Sequence, residues 1–406
     1  MKGFRGKVLL LLRDRRWVLT ACLLSFFPVV FILRSKFLDH SRPLDPLAQD
    51  LKDSSLLPSL PRLAYLISGT KGDASRMKRL FQAVYHPRNK YLLHLDLAAP
   101  DAERIELVNF VKSEVVVATY GNVMVLGEAD LVTEKGPTAM ASVLHAVAIF
   151  LKDGGDWDWF INLSASDYPL IPQDDILHIF SYLPRDLNFI EHSSDLGWRE
   201  YQRARPIIID QGLANQKNPN LLWAKEKRTI PFAFKLFAGS EWVILTKSFL
   251  EFCIWGWDNL PRILLMYYTN FLSSSEGYFH TVICNHRDYQ NTTVSHSLRF
   301  QKWKTPPEQQ PMVLNSDHFE EFVESGLPFA RPFEADDPVL DRIDRDLLHR
   351  SSGQLSLGGW CQTRDSDSCL KYTITNAIKP SSSSFKLEQT MLKLLHVDNF
   401  RSNQCV

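Results

Sequence analysis

Residues 273–285 read SSSEGYFHTVICN and place one carboxylate, Glu276, after three serines and before an apolar run. Two roles fit those residue types. A serine hydroxyl and a first-turn acid both suit the start of a helix, where free N–H groups and the positive end of the dipole need partners. A carboxylate that reaches a substrate hydroxyl can instead take its proton as a general base. A second polar turn, Ser164, Ser166 and Asp167 in SASDYPL, follows the apolar stretch WDWFINL. In open α/β sheets such turns at the carboxyl ends of strands are where ligands sit.

The segments that must hold these turns alternate in character. LAYLISG and YLLHLD read as short buried strands with a helical stretch at 76–85 between them, the pattern of a parallel sheet. GPTAMASVLHAVAIFLKDGG carries proline at a first helical position and glycines just past the end. WDWFINLS, LNFIEH and SEWVILT add strands, and SFLEFCIWGW and EGYFHTVICNH add helices. The fold class is α/β.

With 406 residues, 45% of them apolar, the chain can bury a large core. Lysine plus arginine equals aspartate plus glutamate at 46 each, so no overall field draws it to nucleic acid, and an anionic ligand needs a local cluster. The sequence has no GxxxxGK[ST] loop, GxSxG elbow or HExxH helix. The acid pair in DWDWF precedes its strand, at the end away from a ligand face, and reads as a solvated turn.

Residues 17–33, WVLTACLLSFFPVVFIL, carry no charge and would span about 26 Å as a helix, enough for a bilayer core. Residues 1–16 are strongly basic, which keeps that end cytosolic. No small-residue cleavage site follows, so the expectation is a retained anchor with the rest of the chain in a lumen. Residues 34–61, rich in proline, read as a stem, 62–350 as the catalytic body and 351–406 as a cysteine-containing appendage. Asn291 opens an NTT glycosylation acceptor, whereas Asn162 in NLS lies inside a strand. In an oxidising lumen Cys361 and Cys369 form the shortest loop and are expected to pair, with Cys405 as the odd residue.

LAYLISGTKGD, VYHPRNKYLLHLD, WDWFINLSASDYPL, FKLFAGSEWVILT, SSSEGYFHTVICN, LRFQKW and DDPVLDRID occur in this order over about residues 62–346. Together they resemble the core-2/I-branching β-1,6-N-acetylglucosaminyltransferase family, and within it plant glucuronosyltransferases acting on arabinogalactan. The resemblance implies a GT-A-type, Rossmann-like fold on a type II Golgi anchor, inversion at the transferred sugar, and no divalent metal or other cofactor. Glu276 matches the family's general base. Asp96 matches its nucleotide-contacting acid, and Asp167 lines the donor site. Glu191, Trp198, Arg199, Glu241 and Trp242 fall where acceptor contacts lie. Arg299 matches the phosphate arginine, with Lys302 close by in sequence. The family's second cation is a lysine in a Phe-Ala-x-Lys-Phe segment, but this chain reads FARPF, with Pro332 at that position. Proline supplies neither charge nor N–H, so Arg331 or Lys302 is expected to take over.

The reaction implied is transfer of glucuronic acid from UDP-glucuronate to galactose residues of arabinogalactan side chains. A donor carboxylate asks for a further cation, with Arg203, Arg205 and Lys235 as candidates. N-acetylglucosamine or xylose transfer, and an inactive anchored carbohydrate-binding protein, are the alternatives.

Overall fold

The computed structural model describes residues 58–133, 135–214, 219–306, 310–361 and 375–406. The chain divides into two units, Met1–Pro58 and Ser59–Val406. All of the first except Pro58 lies outside the described residues, including the anchor expected at 17–33. Among the described residues no helix is long and apolar enough to cross a membrane.

The second unit is built on an α/β sheet. LAYLISG forms β1 (Leu63–Gly69), flanked by β2 (Lys90–Leu95) and β4 (Trp159–Ser164), both parallel to it. Its side chains alternate between two cores. Leu63, Tyr65 and Ile67 enter one, and Ala64 and Leu66 the other, so the strand is apolar throughout because both faces are covered. β3 (Val123–Val125) extends the sheet beside β2. On the far side of β4, β11 (Ile244–Thr246) runs antiparallel, followed by β6 (Asn188–Phe189) and β12 (Thr293–Val294). The order of these seven strands is β12-β6-β11-β4-β1-β2-β3.

Helices cover both faces. Ala74–Val84 and Gln173–Ser181 pack on the first core, and Pro137–Lys152, Lys247–Trp255 and Tyr278–Asn285 on the second. Pro137 opens its helix as its sequence predicts, because the N–H it lacks has no helical partner there.

Three smaller pairings place the loops. β5 (Tyr168–Pro169) pairs with β14 (Phe329–Ala330), which pairs with β13 (Arg299–Phe300). β7 (His192–Ser193) pairs with β10 (Ala238–Gly239). A Cβ at Gly239 would lie 1.7 Å from the carbonyl oxygen of Glu191, so only glycine allows that approach. β8 (Pro206–Asp210) and β9 (Leu221–Lys227) form a hairpin whose second strand is almost wholly exposed.

The described part of 351–406 shares the core of this unit. Trp360, Leu387 and Met391 are buried in it, and Asp174 accepts backbone N–H groups from Gly359 and Lys379. The cysteine expectation needs correction. Cys405 is not the odd residue, for it is bridged to Cys284 at the end of the helix Tyr278–Asn285, and the free cysteine among the described residues is the buried Cys253. Two half-cystines 121 residues apart in sequence meet because the chain's last residues return to β7, where the N–H of Ser194 donates to the carbonyl of Val406. Cys361 is disulfide-bonded, and Cys369, its expected partner, lies outside the described residues.

Candidate active site

Glu276 ends a single 3-10 turn, Ser274–Glu276, that precedes the helix Tyr278–Asn285. The capping reading does not hold. Neither Ser273 nor Gly277 caps with a side chain, and the Ser274 hydroxyl is turned inward onto the carbonyls of Tyr268 and Phe271. Ser273 sits in the left-handed region at φ 55°, a conformation that costs on the order of 1 kcal/mol and persists only where the surroundings enforce it. Gly277 follows because a Cβ there would come within 2.6 Å of the buried Tyr268 ring. The carboxylate is thus freed from the helix and points to Arg203, with which it forms an ion pair.

Arg203 belongs to the short helical stretch Glu200–Ala204 and lies 5.1 Å from the centre of the Trp198 ring, while Arg199 lies 5.2 Å from the same ring. Trp198 remains 52% exposed between these cations. Glu191, exposed at the start of the same region, leads into β7. Trp198, Arg199, Arg203 and Glu276 form one wall.

Glu241 joins that wall to a second cluster. Its Oε2 accepts the hydroxyl of Ser275 at 3.0 Å, the residue before Glu276, and its carbonyl accepts Nδ2 of Asn162 at 2.9 Å. Burial raises its carboxyl above the ordinary range, Arg331 opposes this, and Glu276 and Asp167 reinforce it. His280, one turn into the helix, bonds the carbonyl of Ser240 through Nε2 at 2.9 Å, and burial pushes it down to about 3.

The second cluster is cationic. The small sheet β5-β14-β13 sets Asp167, Arg299 and Arg331 side by side at the carboxyl end of β4. Asp167 Oδ1 lies 2.9 Å from Nε of Arg331, and Oδ2 lies 3.8 Å from Nε of Arg299. Arg299 has no exposed side-chain surface, and its Nη groups donate to the carbonyls of Ser297 and Asn162 at 2.7 and 2.5 Å. Burial pushes it down to about 10, with Asp167 pulling it back up. Arg331 lies flat against Trp242, its guanidinium carbon 3.9 Å from the ring centre, and keeps 15% of its side chain open. Of this pair, Arg331 is the one that presents charge to solvent, and Trp242 is its platform.

Asp96, just past β2, is buried and accepts the Thr70 hydroxyl and the Ala98 N–H, both at 3.0 Å. Burial raises its carboxyl, and these bonds oppose the rise. Lys302 is held elsewhere, with its amine on both oxygens of Glu321 at 2.6 and 2.8 Å. Arg205 is paired with Glu200 at 2.6 Å. Asn291 is exposed in the turn Gln290–Thr292, whereas Asn162 is buried in β4.

Residues 63–323 match the model of the Core-2/I-Branching enzyme family. Beta-glucuronosyltransferase GlcAT14C of Arabidopsis thaliana is 59% identical over 347 residues, covering 86% of each chain. GlcAT14B of the same plant is 52% identical over 379 residues, 93% of this chain and 87% of the relative. Xylosyltransferase 2 of Homo sapiens is 30% identical over 245 residues, 60% of this chain but 26% of that one.

Proposed function

The chain belongs to the core-2/I-branching enzyme family, and from that premise we propose that it is a GT-A-type inverting β-glucuronosyltransferase using UDP-glucuronate, with galactose residues of arabinogalactan side chains as acceptors. The observation that carries this reading is the 59% identity with a beta-glucuronosyltransferase across 86% of both chains, against 30% across 26% of a xylosyltransferase.

In this mechanism Glu276 takes the proton of an acceptor hydroxyl as its oxygen attacks the anomeric carbon of the donor. The new C–O bond forms on the face opposite the departing UDP, so an α-linked donor gives a β-linkage. Negative charge grows on the diphosphate as its bond to the sugar breaks, and Arg331 meets it directly. Arg299 supports from beneath, since it has no exposed side-chain surface and both of its Nη groups already donate to carbonyls. Glu191, Trp198, Arg199, Glu241 and Trp242 shape the acceptor side, and Asp96 and Asp167 the donor side. The same reading places the protein in the Golgi membrane through 17–33, with 62–406 in the lumen, a topology that protease protection of intact vesicles tests.

The deciding experiment incubates the full-length protein with β-linked galactan and, in turn, UDP-glucuronate, UDP-N-acetylglucosamine and UDP-xylose. Release of UDP and a charged product with glucuronate is the expected outcome. Transfer from one of the other donors with glucuronate ignored would overturn the donor assignment.

A further inference from the structure

A cleft of about 430 Å³ opens beside the acceptor wall, between residues 194–200 and 230–236. Ser194, Glu200, Ile230, Pro231, Phe234 and Lys235 line it. Apart from Lys235, a candidate cation for a donor carboxylate, its lining residues carry none of the roles assigned above. At this volume it falls within the range of ligand-binding clefts.

Two structural links tie it to Glu276. One is the cleft wall itself: Gly197 and Glu200 flank Trp198, whose ring carries Arg203, the partner of Glu276. The other is the helix that follows the base. At its far end Asn285 clamps the cleft floor, accepting the N–H of Lys235 at 2.9 Å and donating to the carbonyl of Lys235 at 2.7 Å. The helix Tyr278–Asn285 has 8 residues, so the clamp stands about 12 Å from the base turn. The cleft therefore adjoins the wall beside Glu276 and follows the helix to its far end.

The lining is chemically mixed. Phe234, with its ring edge-on to Tyr267 at 5.3 Å, and Ile230 and Pro231 offer apolar surface, while Glu200, Lys235 and Ser194 offer groups that bond hydroxyls. Alternating C–H faces and hydroxyls are the surface of a neutral sugar, which such a lining complements.

We propose that this cleft is an extended acceptor subsite that holds neutral sugar residues of a glycan chain beyond the one that reacts. The inference rests on the acceptor reading given above and makes the substrate a chain rather than a short terminal unit.

The test measures kcat/KM of the full-length protein on β-linked galacto-oligosaccharides from two units upward. For the wild type the value should climb with length and then level off. In Phe234→Ser and Lys235→Ser the ratio of long-chain to disaccharide kcat/KM should drop about tenfold, the loss typical of one well-placed contact residue. An unchanged ratio in both variants, or a wild type indifferent to length, overturns the subsite. Calorimetric titration with a hexasaccharide gives a readout that does not depend on transfer. Weaker binding in the variants supports the cleft even if the donor assignment fails, and equal binding refutes it even if transfer is robust.

Discussion

Arg203 is ion-paired to Oε2 of Glu276, so the carboxylate proposed as the base is held by a cation that itself rests on Trp198. The pair holds the carboxylate against the wall that carries Trp198. Glu276→Gln keeps the shape and a hydrogen-bond acceptor for Arg203 but removes the proton-accepting charge. Turnover should fall on the order of a hundredfold or more, with the melting temperature little changed. Turnover within a few-fold of the parent, in a folded variant, would remove Glu276 as the base.

Arg299 and Arg331 should separate into two phenotypes. Arg299→Ala leaves Asp167 short of a buried partner and two carbonyls without donors, a loss on the order of 3–5 kcal/mol in stability. Arg331→Ala vacates a partly open position and should weaken UDP binding about tenfold, as loss of one charge-assisted bond does, while the protein stays folded. Wild-type UDP affinity in the Arg331 variant would take that residue out of the donor site.

If guanidinium charge suffices for the leaving group, EDTA should leave the rate unchanged. Activity lost to the chelator and restored by Mn²⁺ would reassign the task to a metal.

Acid should destabilise the fold through its neutral histidines. His280 and His86 are pushed by burial to about 3, and His94 to about 4. A depressed histidine contributes its full stability above the ordinary value near 6.5, and that contribution is lost as pH falls toward the folded value, because the unfolded chain binds the proton first. Each costs about 1.4 kcal/mol per pH unit in that window. Asp96, Asp174, Asp175 and Glu241, raised mainly by burial, act in the opposite sense as they protonate. Denaturant melts from pH 7 to 4.5 should therefore show a smaller slope in His280→Gln than in the parent, whatever its absolute stability. An identical slope would contradict a neutral His280.

The bridge Cys284–Cys405 closes a separation of 121 residues. Removing it with Cys405→Ser should cost roughly 2–5 kcal/mol and free the strand end at Ser194. Chemical denaturation of the two proteins measures this, and equal midpoints would show the tail held by its other contacts alone.

The central strands were legible because β1, β2 and β4 are buried on both faces and so read as apolar runs. The position of Glu276 was legible through its motif, but its local structure was not. A 3-10 turn and a helix start look alike in SSSEGY, and what separates them is the Tyr268 ring behind Gly277. The cluster of Asp167, Arg299 and Arg331 was harder still. It depends on two-residue strands at 168, 299 and 329, too short to show any period. Arg203, in EYQRARP, reads as one basic residue among several until Glu276 is set opposite it. The return of Cys405 to Cys284 carried no local pattern at all.

Asp167 faces two guanidiniums, one through each oxygen, and with the buried one, Arg299, it forms a hereditary unit. Losing the acid would leave two cations confronting each other, one of them sealed from water. Losing Arg299 would strand the acid. Neither Asp167 nor Arg299 can drift alone without passing through a damaged protein, so among relatives the charges at 167 and 299 should change together or stay put. Variation is then left to positions outside that pair, among them the exposed wall around Trp198.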